Sequence, residues 1–321
     1  MQSDAKNKKQ LTELIRKKAE ELGFALCGIA KAEALSIEKD HLKNWLAKSH
    51  HAEMHYMEKH FEKRTNPAKL VPDALSVISV LYNYFPARDV FRNRHYKISK
   101  YAFGTDYHFV MKKKLKTLLQ FIRSLKEVKN ARIFVDSAPV MDKVWAVKSG
   151  LGWIGKNTCL INRKEGSFFF IGEIILDVEL DYNARIQKDL CGGCTRCIKA
   201  CPTGALVAPY QIDARKCISY QTIEYKGAYP KTLDLDFKNR IFGCDICQDV
   251  CPWNKSSKAH QEEEFLPDDD LVKMTKEDWE QLSAEQFKGL FKKSAVKRTG
   301  YEGLMRNIAY VKKQEEEQEN P

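Results

Sequence analysis

Eight of the ten cysteines in this 321-residue chain stand in two groups whose spacing suits iron–sulfur chemistry. The first group is Cys191, Cys194, Cys197 and Cys201, the last followed by Pro202; the second is Cys217, Cys244, Cys247 and Cys251, the last followed by Pro252. Three thiolates at two-residue gaps wrap a corner of a 4Fe–4S cube, and in two-cluster folds the cysteine before proline ligates the other cluster. The expected sets are therefore Cys191, Cys194, Cys197 and Cys251 on one cluster, and Cys217, Cys244, Cys247 and Cys201 on the other. Zinc also occupies paired cysteines, but two complete CxxxCP endings favour clusters. Disulfides fit poorly, because the cysteines are closely spaced and no export signal is seen. The chain is read as one that moves electrons.

These cysteines need a scaffold. Residues 8–22 carry helical periodicity through Leu11, Leu14, Ile15 and Leu22, ending at Gly23. Residues 24–30 read as a buried strand, 41–48 and 53–61 as helices, and 75–84 as a strand. A basic amphipathic helix is expected over 110–126, a strand over 131–135, a helix over 141–149, and two β segments around Gly172 within 167–180. This mixture predicts an α/β or α+β domain over residues 1–185, then a cysteine module over 186–255. Residues 256–321 follow as a helical segment, with a helix at 279–291 and a frayed, charged last ten residues.

Composition narrows the class. The longest apolar stretch, residues 168–176, is interrupted by Gly172 and Glu173 and is far too short to cross a bilayer. With a polar N-terminus, this leads to the expectation of a cytosolic protein without membrane attachment. The net charge of +11 comes largely from clusters such as Lys6, Lys8, Lys9, Arg16, Lys17 and Lys18, Lys112 to Lys114, and Lys292, Lys293, Lys297 and Arg298. A basic surface attracts polyanions or an acidic electron donor, though a merely solvated lysine-rich face reads the same way. Gly150, Gly152 and Gly155 match GxGxxG. That motif marks a dinucleotide site only between a strand and a helix; here a helix is expected before it, so no such site is predicted.

Five ordered segments carry a family resemblance: Tyr101 to His108 (YAFGTDYH), Val135 to Pro139 (VDSAP), Gly150 to Asn157 (GLGWIGKN), Cys217 to Tyr220 (CISY) and Asn239 to Asp245 (NRIFGCD). Together they resemble epoxyqueuosine reductase, over roughly residues 10–255 and more weakly to Arg306 and Asn307. The resemblance implies a cobalamin-binding α/β (α+β) domain packed on a ferredoxin-like domain with two 4Fe–4S clusters. It implies a cytosolic enzyme that reduces epoxyqueuosine to queuosine at the tRNA wobble position, the last step of queuosine biosynthesis. Base-off cobalamin is implied as cofactor; the absence of a D-x-H-x-x-G motif agrees. A low-potential donor of flavodoxin or ferredoxin type and a monomeric state are the accompanying expectations.

Residue by residue, the resemblance makes Asp136 the proton donor, where residue type alone suggests a turn cap. Asp106 and His108 are secondary active-site candidates. The cofactor cradle implied is Arg64, Ser99, Asp136, Asn157, Leu160, Ile171 and Ser219, with Cys244 and Asp245 at the boundary between corrin and clusters; Ser99 stands where some members have cysteine. For tRNA the candidates are Gln221, Lys226 and the lysines at 112–114, with Tyr220, Tyr225 and Tyr229 available for stacking or simply for packing. Cys27 and Cys159 are left as buried thiols. Longer members carry a helical-repeat extension beyond the cluster module, so affinity for tRNA is expected to rest on the basic core surface. The rival readings are a corrinoid-dependent reductive dehalogenase and a plain ferredoxin-type carrier, the latter leaving the first 185 residues without a task.

Overall fold

A computed structural model of the chain describes residues 2–183 and 186–319; the expected domain boundary at 185/186 falls at residues outside that range. A four-stranded, wholly antiparallel sheet forms the centre, in the order β1 (Leu26–Lys31), β2 (Ser76–Asn83), β7 (Phe169–Leu176), β4 (Ala131–Phe134). Helices cover both faces. On one lie α1 (Gln2–Glu21) and α4 (Tyr107–Leu125), whose Ile15, Met111, Leu115 and Leu118 meet Ile78, Val80 and Ile174. On the other lies α5 (Asp142–Lys148), whose Val144 and Trp145 pack with Val77, Phe134 and Ile175. The alternation of Glu173 and Ile175 against Ile174 and Leu176 follows from the two-residue period of a strand. The outcome is α+β, with a central sheet that contains no parallel pair.

The two β segments expected around Gly172 are one continuous strand, with Val80 opposite Gly172. The glycine is there for proximity: a Cβ at this position would lie 2.9 Å from both Leu115 Cδ1 and Met111 Cε. Helix α4 can settle that closely on the sheet only over a bare backbone.

The expected helix at 53–61 breaks into a single tight turn at His55–Met57 and a short α3 (Phe61–Thr65), because Ala52 and His60 adopt left-handed φ values of 52° and 58°. Helix α2 (Ser36–Ala47) precedes it. The GxGxxG segment leaves α5 through Gly150 (φ 75°) into a hairpin of β5 (Trp153–Ile154) and β6 (Leu160–Ile161). With a helix before and a hairpin after, no dinucleotide fingerprint is formed.

The cysteine module carries two short helices, α6 (Arg196–Ala200) and α7 (Ile246–Asp249), packed on each other. It is tied back by β8 (Arg240–Phe242), which runs parallel to β3 (Lys97–Ile98). Buried Asn254 and Gln248 secure the other side: Asn254 Nδ2 donates to Ser167 Oγ at 2.9 Å and Gln248 Nε2 to the Ser167 carbonyl at 2.9 Å.

Beyond it come α8 (Asp269–Lys273), α9 (Lys276–Glu280), α10 (Ala284–Leu290) and α11 (Gly300–Glu319). The single helix expected at 279–291 is thus split. Two capping boxes do it, Thr275 with Asp278 and Ser283 with Gln286, each satisfying otherwise orphaned amides at a new helix start. The end expected to fray is helical to Glu319. Glu315 anchors it through Asn239 Nδ2 at 2.7 Å and His95 Nε2 at 2.8 Å, and Asn307, fully buried, donates to the carbonyls of Thr222 and Ile241.

Candidate active site and cluster centres

The cysteines assemble as the crossing rule requires. Cys191, Cys194, Cys197 and Cys251 line one cavity of about 220 Å³, walled by Leu190, Trp253 and Pro252 and flanked by Lys156 and Arg196. Trp153 packs edge-on to Trp253 at its back. In the second group the Cys217 thiol feels Cys201, Cys244 feels Cys217, and Cys247 feels both Cys244 and Cys217. Burial pushes the Cys244 thiol up to about 12, so it stays a thiol until a metal displaces its proton. Ser219 hydrogen-bonds to Cys217. Cys159, expected as a buried thiol, is half-buried and lies against Cys247; Cys27 is half-buried in β1, its thiol raised to about 12 by desolvation.

A larger cavity of about 720 Å³ opens above the sheet end, a size typical of cofactor and small-molecule sites. Its apolar floor includes Phe169, Phe170, Ile171 and Ile223, with Tyr84 and Tyr101 beside them. Asp136 stands on its wall, just past β4, with φ at +48°. A non-glycine residue in this region is strained and usually held by its surroundings. The holder is Tyr107, whose hydroxyl donates to Asp136 Oδ2 at 2.6 Å. Tyr107 in turn stacks on Phe170, 4.2 Å between centroids at 4°. Burial and the neighbouring Asp136 charge raise its phenol well above the ordinary value, so it stays protonated.

The triplet Asp106-Tyr107-His108 therefore divides its work differently from expectation. Asp106 caps α4, accepting from the His108 amide at 2.9 Å and from its Nδ1 at 2.7 Å. Burial alone would raise the Asp106 carboxyl, but these His108 bonds outweigh it and hold it below the usual carboxylate range. The central tyrosine, not the flanking pair, reaches Asp136. Asp106 and His108 still line the cavity.

Two carboxyls behind Asp136 were not foreseen as functional. Asp142, the first residue of α5, lines the same cavity, and Glu173, fully buried at the centre of β7, hydrogen-bonds to it. Burial first, with the Asp136 charge adding, pushes Asp142 up to about 6; burial and the Asp142 contact drive Glu173 well above the carboxylate range. The signal was in the sequence: an acid inside an apolar strand.

Of the expected cradle residues, Asp136 and Ile171 line this cavity, Asn157 lines the cysteine cavity, and the others belong to neither lining. Arg64 is buried, donates Nη2 to the Tyr56 carbonyl at 3.0 Å and leaves Nε without a partner among the described residues. Ser99 donates to Asp245 Oδ1 at 2.5 Å, and Asp245 also accepts from the Lys100 amide at 2.8 Å. Lys100 bridges Asp89 at 3.0 Å and Asp249 at 2.8 Å. Asn157 is buried and donates to the Cys247 carbonyl at 3.2 Å, joining the GLGWIGKN loop to the second cysteine group. Ile171 faces the cavity, whereas Leu160 packs inward with Leu81, Ala146 and Leu151.

The nucleic-acid candidates fare less well. Gln221 is buried and spends its amide on the Arg215 carbonyl at 2.6 Å. Lys226 donates to the carbonyls of Ile223 and Arg298. Tyr220 is buried and bonds the Glu53 amide; Tyr225 and Tyr229 stack on each other at 5.7 Å and under Arg306. Gln221 and Tyr220 are thus buried in packing, whereas Tyr225 and Tyr229 are half-buried and Lys226 is exposed. Lys114 is paired with Glu262 at 3.1 Å. The cavity rim instead presents Lys292, Lys293, Lys297 and Arg298, together with Phe109, which is 64% exposed. Arg298 is held in place by a bidentate pair with Glu224 at 2.6 and 2.9 Å. Among the described residues, no helix is long and apolar enough to cross a membrane.

Comparison with known proteins agrees with this layout. The family model described as "4Fe-4S double cluster binding domain" matches residues 190–254, and "Epoxyqueuosine reductase QueG, DUF1730" matches residues 64–137. The epoxyqueuosine reductase of Cyclobacterium marinum is 51% identical over 302 residues, covering 94% of this chain and 96% of that protein. A crystal structure of an epoxyqueuosine reductase with an epoxyqueuosine-modified tRNA-Tyr stem loop superposes with a TM-score of 0.87 at 30% identity, covering 94% of this chain and 80% of that one. A reductive dehalogenase described as B12-dependent shares the fold at 13% identity and a TM-score of 0.50, covering 96% of this chain and 37% of that one.

Proposed function

The chain belongs to the epoxyqueuosine reductase family, and from that premise we propose that it reduces epoxyqueuosine to queuosine at the wobble position of tRNA, with cobalamin as the reacting cofactor and Asp136 as proton donor. It is an oxidoreductase carrying a double 4Fe–4S domain. The observation that carries the reading is Asp136 itself: a carboxyl held in strained backbone, clamped by Tyr107, on the wall of a cavity with an apolar floor and a basic rim.

Loss of the epoxide oxygen as water takes two electrons and two protons. Electrons enter most simply at the Cys191, Cys194, Cys197, Cys251 centre, where Gly192, Gly193 and Arg196 are exposed. Lys156 and Arg196 make that face attractive to an acidic low-potential donor of flavodoxin or ferredoxin type. The Cys201, Cys217, Cys244, Cys247 centre comes next. Asp245 and Cys159, both beside it, also lie within electrostatic reach of Tyr84 on the cavity floor.

The residues present suit a corrin. A planar macrocycle fringed with amides needs an apolar shelf and polar partners; the cavity floor offers the shelf, and Arg64, with an unpartnered Nε among the described residues and within electrostatic reach of Asp136 and Asp142 on the cavity wall, offers a donor. When bound, cobalamin supplies a low-valent cobalt able to act on carbon directly. Arg64, Ser99, Asn157, Leu160, Ile171, Ser219, Cys244 and Asp245 would hold it base-off. Tyr107 aims Asp136, and Asp136 would hold the proton destined for the departing oxygen. His108 and Asp106 stiffen the start of α4, which carries Tyr107.

Lys292, Lys293 and Lys297 would meet anticodon-loop phosphates, and Phe109 offers a face to an unstacked base. A cytosolic setting, where tRNA and reduced donors are found, completes the reading. The test is anaerobic incubation of the two-cluster protein with cobalamin, reductant and epoxyqueuosine-containing tRNA, followed by nucleoside mass spectrometry. Queuosine should form only when corrinoid is present. Turnover of an aryl halide with no queuosine would transfer the chain to the dehalogenase reading.

A further inference from the structure

The reaction needs two protons and a single Asp136 holds one. We infer that Asp142 and Glu173 form a proton-sharing carboxyl pair that reloads Asp136 between the two protonations of the departing oxygen. The inference rests on the proposed function, and it concerns residues with no assigned role.

The geometry comes first. Glu173 sits mid-strand, opposite Ser79 on β2 and Phe134 on β4, with no solvent exposure. Apart from the Asp142 contact, neither of its oxygens has a hydrogen-bond partner among the described residues, and Asp142 Oδ1 is equally buried. Two ionised carboxylates cannot rest against each other in a desolvated site; one proton between them removes a charge and makes the hydrogen bond. Asp142 then continues outward, since it and Asp136 line the same cavity. The path therefore runs from the centre of β7, through the first residue of α5, to the end of β4.

Charges facing the pair come from every element around it. Arg64 on α3 lies within electrostatic reach of both Asp142 and Asp136, and Lys143 follows Asp142 on α5. Both cations favour the ionised end of the relay, and Asp136 opposes it. When Asp136 has given its proton to the substrate oxygen, its new negative charge raises the proton affinity of the whole cluster. The pair's proton then moves to Asp136 as a solvent proton from the open cavity replaces it on Asp142, so the two carboxyls never stand ionised together beside each other. Asp136 delivers this second proton as the oxygen leaves as water. Two electrons come from the external low-potential donor through the clusters, and a second solvent proton, entering by way of Asp142, resets Asp136 for the next turnover. Charge and atoms balance, and neither Asp142 nor Glu173 touches the substrate; both act through Asp136.

Two measurements on the two-cluster holoenzyme test this. Infrared spectroscopy at neutral pH should show a protonated-carboxyl C=O stretch that shifts in deuterium oxide and disappears in Glu173→Gln. Persistence of that band in Glu173→Gln overturns the shared proton. In single-turnover assays Glu173→Gln, which keeps the volume, should lower kcat about tenfold above pH 7 with KM unchanged, and move the alkaline limb of the kcat profile to lower pH. Asp142→Asn, on the cavity side, should do the same and serves if Glu173→Gln does not fold. A kcat–pH profile that superposes on the wild type refutes the relay while leaving the enzyme's function intact. No queuosine from the wild type refutes the function instead, and the infrared band still reports on the pair.

Discussion

Replacing Tyr107 with phenylalanine removes one oxygen and one hydrogen bond from the heart of the site. The bond lost is 2.6 Å long, from a phenol to a carboxylate oxygen, inside the short range of charge-assisted O–H···O contacts. Such bonds contribute about 1.5–3 kcal/mol net. If that energy holds Asp136 in its left-handed backbone and aims its carboxyl, its loss should lower kcat by roughly 10- to 150-fold, at about 1.4 kcal/mol per factor of ten. The ring remains. Phenylalanine can keep the stack on Phe170, so melting temperature, iron content and KM for tRNA should be nearly unchanged. Anaerobic turnover with modified tRNA, followed by nucleoside mass spectrometry, measures kcat directly. A variant within twofold of wild-type kcat, with clusters intact, would show that Tyr107 does not position Asp136.

Other perturbations reach other parts of the account. Cys194→Ser removes a ligand from the outer cysteine centre, so iron should fall from about eight to about four atoms per chain; unchanged iron by colorimetric assay would break the ligand assignment. Changing Lys292, Lys293 and Lys297 together to glutamine should weaken tRNA binding and flatten the dependence of log Kd on log salt by about 2, at roughly 0.7 per phosphate contact. An unaltered slope would place the tRNA elsewhere. The folded protein holds the Asp142 proton up to about pH 6, whereas the unfolded chain releases it lower. The stability this contributes is complete below the ordinary carboxylate value and is lost as pH rises through about 6. Urea midpoints should therefore fall between about pH 4 and pH 6 in the wild type and change less in Asp142→Asn; parallel curves would contradict the raised value.

The cysteine spacing carried the most information, because ligation of a cube constrains thiols in sequence as well as in space. Both crossed sets come together around their separate centres. Long periodic elements were also legible, since α4, β2 and β4 bury a regular face. What was misread was punctuation. Thr275-x-x-Asp278 and Ser283-x-x-Gln286 are helix starts written in the sequence, yet the apolar periodicity across 279–291 hid them. Gly172 looked like a break in a strand and is a contact point for α4.

Within the site, Asp136 came from family resemblance; its residue type alone suggested a turn cap. Tyr107 was passed over between two more obviously ionisable neighbours, although only the structure reveals which of three adjacent side chains points inward. Gln221 and Tyr220 looked available in one dimension and are buried in three. The basic rim is built from the chain after residue 290 folding back over the cavity, a juxtaposition that no local pattern encodes.

The central claim is that Asp136 protonates the oxygen while the clusters and corrinoid supply electrons, and Asp136→Asn isolates it. The measurement is queuosine formed per enzyme in an anaerobic single turnover, alongside iron and bound corrinoid for each protein. The account predicts wild-type cofactor content and almost no queuosine from the variant. Queuosine at the wild-type rate from Asp136→Asn, with the same cofactors bound, would contradict it.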